Sequence, residues 1–140
     1  PHTAIVPDDL PGEGPLAAIQ SALSFASASR VLVLACDMPC VSITLLEWMA
    51  SIETDAGVVL PRSSDGRWQP IPAIYSQSIL PAIEATLLSG DRAVTAVLND
   101  VAVHAISETE LRSFDPELSS LFSLNCPSQI EQAKACASCN

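Results

Sequence analysis

Asp37 is the residue of this chain best placed to do chemistry. It follows an unbroken apolar run, Val31-Leu32-Val33-Leu34-Ala35-Cys36, and is itself followed by Met38-Pro39. β-Branched and long aliphatic residues without polar alternation read as a strand buried on both faces, as in a parallel sheet with helices above and below. Such a strand over residues 31–36 delivers Asp37 to its carboxyl end. That rim is where open α/β sheets bind ligands, and a carboxylate there suits a divalent cation held against a phosphate. The same position also suits a cap on the next helix, an ordinary duty of aspartate before a turn. A second candidate is loop 7–14. Glycines let backbone approach a ligand closely, and Gly14-Pro15-Leu16 opens a helix whose first amides lack intrahelical partners and face an anion well. An ordinary helix start is the alternative.

Cys36-Asp37-Met38-Pro39 after a buried strand, preceded by Gly14-Pro15-Leu16-Ala17-Ala18-Ile19, resembles the molybdenum cofactor guanylyltransferases, the MobA-like nucleotidyltransferase family. Gln69-Pro70-Ile71-Pro72-Ala73-Ile74-Tyr75 and Leu121-Phe122-Ser123-Leu124-Asn125-Cys126-Pro127 resemble two later segments of that family, in the expected order. The resemblance implies a three-layer, Rossmann-like α/β fold with a mostly parallel sheet. It also implies transfer of GMP from GTP to the molybdopterin cofactor with Mg²⁺. Asp37 would then be the catalytic, metal-holding carboxylate. Asp8 matches a nucleotide-binding carboxylate, with Asp9 as its competitor across a loop of variable length, and Gly14, Pro15 and Leu16 lie on the nucleotide side. Asn125 matches a pterin-binding asparagine, while Ser123 stands where the family has another. Gln69 is either a substrate-side hydrogen-bonding group or a surface turn residue. Contact with molybdoenzymes or other cofactor-biosynthesis proteins would follow from the same role.

The family opens with a glycine-rich loop of the form L-x-G-G-x-S-x-R-M-G-x-D-K, and these 140 residues contain no such segment. The expectation is therefore a single domain whose first βαβ portion is missing and which is inactive by itself. Two alternatives share the resemblance. A cytidylyltransferase of the same superfamily usually shows Asp-Gln-Pro where Met38 stands, and a non-catalytic module would keep the pterin side only. A sugar-phosphate nucleotidyltransferase is disfavoured because its later signatures are not visible.

The elements that must position these groups alternate as in α/β proteins. The sequence predicts strands at 4–6, 31–36, 57–61, 68–75, 101–106 and 122–124. Pro70 and Pro72 assign the fourth of these to an edge or an irregular path. Helices are expected from Pro15, over 44–52 with Thr44 and Glu47 as a capping box, over 78–89 with Gly90 as the stop, from Asp91 to about Asn99, and after Ser107 and Glu110 as a second capping box. A last helix starts at Ser128. Tyr75 and Trp68 read as packing residues.

At 49% hydrophobic, 140 residues can build one domain core. The net charge of −10, from 6 basic and 16 acidic residues, argues against a nucleic-acid or anionic-membrane surface, since both need clustered Lys or Arg. It fits triphosphate chemistry only if a metal bridges carboxylate and phosphate. No apolar window is long enough to span a membrane and no leader pattern is present, so a cytoplasmic protein is expected. The five cysteines do not space as a disulfide framework. Cys136-Ala137-Ser138-Cys139 lacks the four ligands of a structural zinc site and the strand-then-helix setting of a redox pair.

Overall fold

Alternation along three short strands sorts the core into two halves. In the computed structural model, which describes residues 5–7, 12 and 14–123, Val58 and Leu60, Ala73 and Tyr75, and Val31 and Val33 face one side of a sheet, while Val59, Ile74 and Leu32 face the other. Period-two side chains can serve two cores only if each face is covered. Helices α1 (Pro15–Phe25), α3 (Leu80–Leu88) and α4 (Val94–Val97) cover the first face, and α2 (Ile43–Ser51) and α5 (Glu108–Arg112) the second. The result is the three-layer α/β arrangement expected.

The sheet contains β1 (Arg30–Val33), β2 (Val58–Arg62), β3 (Ala73–Ser76) and β4 (Val103–Ser107), in the spatial order β1-β3-β2-β4. β1, β2 and β4 point the same way, but β3 runs against both of its neighbours, so only the β2–β4 pairing is parallel. The sheet is therefore mixed where a mostly parallel one was expected. Turn 63–66 explains this, because it sends the chain back after β2 without a crossover helix. The turn holds through Gly66 N–H to the Ser63 carbonyl at 2.8 Å, with Gly66 at φ 87°, a region open to glycine. β3 is central, and the edge-like path assigned to the prolines is confined to residues 68–72 before it.

Several sequence expectations need correction. β1 ends at Val33 and not at residue 36: the next pair in register would set Leu34 opposite Pro72, which has no N–H to give. β1 is half-buried throughout because it lies at an edge of the described sheet, so its apolar run is not covered on both faces. Of the strand expected at 4–6, residues 5 and 6 are described and form no strand, and Ile5 is 94% exposed. Phe122 and Ser123 are likewise irregular. The cap of α2 is Ser42, whose hydroxyl accepts from Leu45 N–H, and not Thr44. The 78–89 helix begins as a 3₁₀ turn at Gln77–Ile79, and Gly90 follows its end at φ 88°. Asp91 accepts from Ala93 N–H at 2.9 Å, so it holds the turn before α4 while Ala93 takes the cap position. The helix from Ser128 and Cys126, Cys136 and Cys139 lie outside the described residues.

Pro61 sits in a central strand, a position prolines normally avoid. Its carbonyl accepts from Gln69 N–H at 2.9 Å on the side of the returning loop. A strand residue turns its N and O the same way, so the missing donor also faces that side, where the β2–β3 pairing has already ended at Val59. The ladder to β4 loses nothing.

The expected capping box at Ser107 and Glu110 is present in full, with Glu110 N–H to Ser107 Oγ at 3.3 Å and Ser107 N–H to Glu110 Oε2 at 2.9 Å. The Ser107 hydroxyl, and then its amide, hold Glu110 below the ordinary carboxylate value of 4.5. Ser107→Ala should cost about 1 kcal/mol in urea melts at pH 7. A depressed carboxylate stabilises above its unfolded pKa, so the difference between variant and parent should shrink as the pH falls below 4.5 and through the native value. A second prediction concerns Gly57, where an added Cβ would stand 2.3 Å from Ile79 Cγ2. Gly57→Ala should destabilise by about 1–3 kcal/mol through overpacking, read from the same melts.

Candidate functional site

Parallel β1 and β2 end at one edge of the sheet, and the loop entering antiparallel β3 starts from that same edge. Asp37 lies in the turn after β1, Ser63 just after β2, and Gln69 on the way into β3. Helix α1 brings its first turn there too. Gln77 Nε2 donates to the Leu23 and Ala26 carbonyls at 3.0 and 2.7 Å, and Gln77 N–H donates to Ser29 at 2.9 Å, which ties the end of α1 to the opposite edge. An 11-residue helix is about 16 Å long and so returns its N-terminus to the Asp37 edge.

Asp37 does not cap the helix that follows. One carboxylate oxygen, Oδ2, accepts from the Ser123 hydroxyl, and the other, Oδ1, is buried and has no hydrogen-bond partner among the described residues. A buried acceptor left empty costs about 1–3 kcal/mol, more for a charged group, so this oxygen calls for a ligand. Among the described residues no three His, Cys, Asp or Glu side chains converge as a metal cluster. Mg²⁺ does not require one: it commonly takes one or two carboxylates and fills its octahedron with phosphate and water oxygens. A lone hard oxygen at Asp37 fits that habit.

The first turn of α1 is shaped as the glycine reading requires. Gly14 stands at φ 81°, and nothing lies within 4 Å of where its Cβ would be, so the backbone there opens to solvent. Pro15 takes the first helical position and is exposed. The Leu16 side chain is only 1% exposed and packs in the core, so any service it gives a ligand is through its amide. Asp8, Asp9 and Asn125 lie outside the described residues.

Gln69 lines an open cavity of about 430 Å³ with Ser63, Glu117, Leu118, Ser119, Leu121 and Phe122. The lining mixes apolar side chains with hydrogen-bonding ones, as small-molecule sites do. Phe122 precedes Ser123, so the cavity wall and the Asp37 contact belong to one segment. Tyr75 is a packing residue as expected: its hydroxyl donates to the Pro70 carbonyl at 2.6 Å, and burial pushes its pKa far up. Trp68 stacks under the Arg62 guanidinium, 4.7 Å from the ring centre.

Sequence reasoning missed the part played by residues 115–123. Asp115, 8% exposed, accepts from Ser119 and Ser120 N–H at 3.0 and 2.6 Å, and Ser120 Oγ accepts from Ser42 N–H at 2.8 Å. An aspartate four residues before a Ser-Ser pair is a turn-capping pattern visible in the chain. Its link to Ser42 is not, because 78 residues separate the partners.

Residues 1–106 match the family model described as the MobA-like NTP transferase domain. The chain is 34% identical over 133 residues to a probable molybdenum cofactor guanylyltransferase of Pelotomaculum thermopropionicum, covering 95% of this chain and 64% of that protein. It is 33% identical over 131 residues to one of Peptoclostridium acidaminophilum, covering 89% and 59%. The crystal structure of molybdopterin-guanine dinucleotide biosynthesis protein A from Archaeoglobus fulgidus superposes with a TM-score of 0.78 at 28% identity, covering 91% of this chain and 64% of that one. The chain thus spans about three-fifths of the length of the curated relatives it matches. With the family model matched over residues 1–106 and the three-layer fold shared, this chain belongs to the MobA-like NTP transferase family.

Proposed function

We propose that the protein transfers GMP from GTP to the terminal phosphate of molybdopterin, releasing pyrophosphate and forming the guanine dinucleotide cofactor in the cytoplasm. The observation that carries this reading is the Asp37 carboxylate in the turn beyond β1, whose buried Oδ1 has no hydrogen-bond partner among the described residues and whose Oδ2 is held by Ser123, the residue after the cavity-lining Phe122. The relatives' names support the same substrates. No helix among the described residues is long and apolar enough to cross a membrane.

Nucleotidyl transfer is mostly positioning and charge neutralisation, and needs no protein nucleophile. Mg²⁺, when bound, supplies the charge that a chain of net −10 lacks for a triphosphate. Asp37 holds the cation through Oδ1. The amides that follow Gly14 receive phosphate oxygens, and Asp8 holds the nucleotide. Gln69 and Asn125 hydrogen-bond the pterin side, with Phe122 and Leu118 as apolar groups lining the cavity.

In the complete protein, Asp37→Asn should keep the fold and lower Mg²⁺-dependent transfer at least tenfold, the scale of a lost charge stabiliser. Turnover within twofold of the parent in a steady-state assay would remove Asp37 from the metal role. Base choice is a separate matter. Calorimetry with Mg²⁺ should show GTP binding more tightly than CTP or ATP, and equal or stronger CTP binding would move the protein to the cytidylyltransferase branch.

A further inference from the structure

The two oxygens of Asp37 have different surroundings. Oδ2 is engaged by Ser123, and Oδ1 is buried and has no hydrogen-bond partner among the described residues. An ionised carboxylate can only accept, so a hydroxyl beside it must donate and thereby occupies that oxygen. Ser123 is not free to swing. Three residues before it, the fully buried Ser120 is tied by its hydroxyl to Ser42 N–H, and the turn carrying Ser119 and Ser120 is held by the Asp115 carboxylate. Leu118, at φ 55°, sits in the left-handed region that this tight turn imposes on a residue other than glycine. Segment 115–123 is thus bolted to segment 37–42 at two points five residues apart on one side and three on the other.

We infer that Ser123 is a positioning residue for the cation site: it locks the Asp37 side chain and leaves Oδ1 as the single oxygen presented to the metal, with Asp115 and Ser120 holding Ser123 in register. The inference rests on the metal-binding role proposed for Asp37. It makes the segment that walls the cavity also the segment that sets the metal ligand. Loss of the hydroxyl would free the carboxylate to rotate, and the cation would then have to bear the cost of fixing it.

The test is Mn²⁺ binding, followed by the free-ion paramagnetic resonance signal, in the complete protein with an α,β-methylene GTP analogue that cannot transfer its nucleotide. Asp37→Asn should abolish saturable Mn²⁺ binding at the site. Ser123→Val should weaken it five- to tenfold, and Ser123→Thr, which has the shape of that valine but keeps the hydroxyl, should stay within twofold of the parent. Ser120→Ala should weaken it two- to fivefold without touching Asp37. Parent-like binding in Ser123→Val, with binding lost in Asp37→Asn, overturns the positioning role alone. Parent-like binding in Asp37→Asn overturns the metal reading beneath it. If Ser123→Val does not fold, Ser120→Ala decides: unchanged Mn²⁺ affinity there refutes the clamp.

Discussion

Antiparallel β3 is the strand on which the rest of this structure depends. It bonds to β1 across four residue pairs and to β2 across two, so among the described strands it alone joins the first strand to the other half of the sheet. Its side chains divide between both cores, Ala73 and Tyr75 to one and Ile74 to the other. Removing it would separate the two parallel strands whose ends frame the site. Its reversed direction also brings Gln69 to the rim. A parallel strand in that place would begin at the opposite edge and carry its entry loop away from Asp37.

Two prolines lie beyond the ends of the β3 ladders. Pro72 lies where β1 would have continued past Val33, and the chain beyond is released into the turn that carries Asp37. Pro61 lies where the β2–β3 pairing is over, with its carbonyl given to Gln69. Strand ends, not strand interiors, therefore place the groups of the site. At the end of the β1 ladder the next partner, Pro72, has no backbone donor to give.

Much of this was legible in the sequence. The α/β alternation, the helix start at Pro15, the stop at Gly90 and the capping box at Ser107 are local signals, each carried by a few neighbouring residues, whereas Asp37 stands in a turn four residues past the end of β1 and not directly at a strand end. What escaped was non-local. The apolar run at 31–36 looks buried on both faces, because composition does not reveal that β1 is an edge of the described sheet. The antiparallel course of β3 depends on what a ten-residue return finds to pair with. Ser42 and Thr44 both suit a helix cap, and only the path into α2 chooses between them. The ties from Ser120 to Ser42 and from Ser123 to Asp37 join residues 78 and 86 positions apart, beyond the reach of any local pattern.

The open end of the β2–β3 pairing bears on how the fold accommodates change. Because the ladder stops at Val59, loop 63–72 hangs from the sheet and contributes few of its hydrogen bonds, while still supplying Ser63 and Gln69 to the cavity. Its length and composition can drift without a register shift in any strand, as insertions in surface loops add little closure entropy. The cavity lining can thus change by exchanging one loop over an unchanged scaffold, while the residues that segment 115–123 contributes stay tied to Ser42 and Asp37.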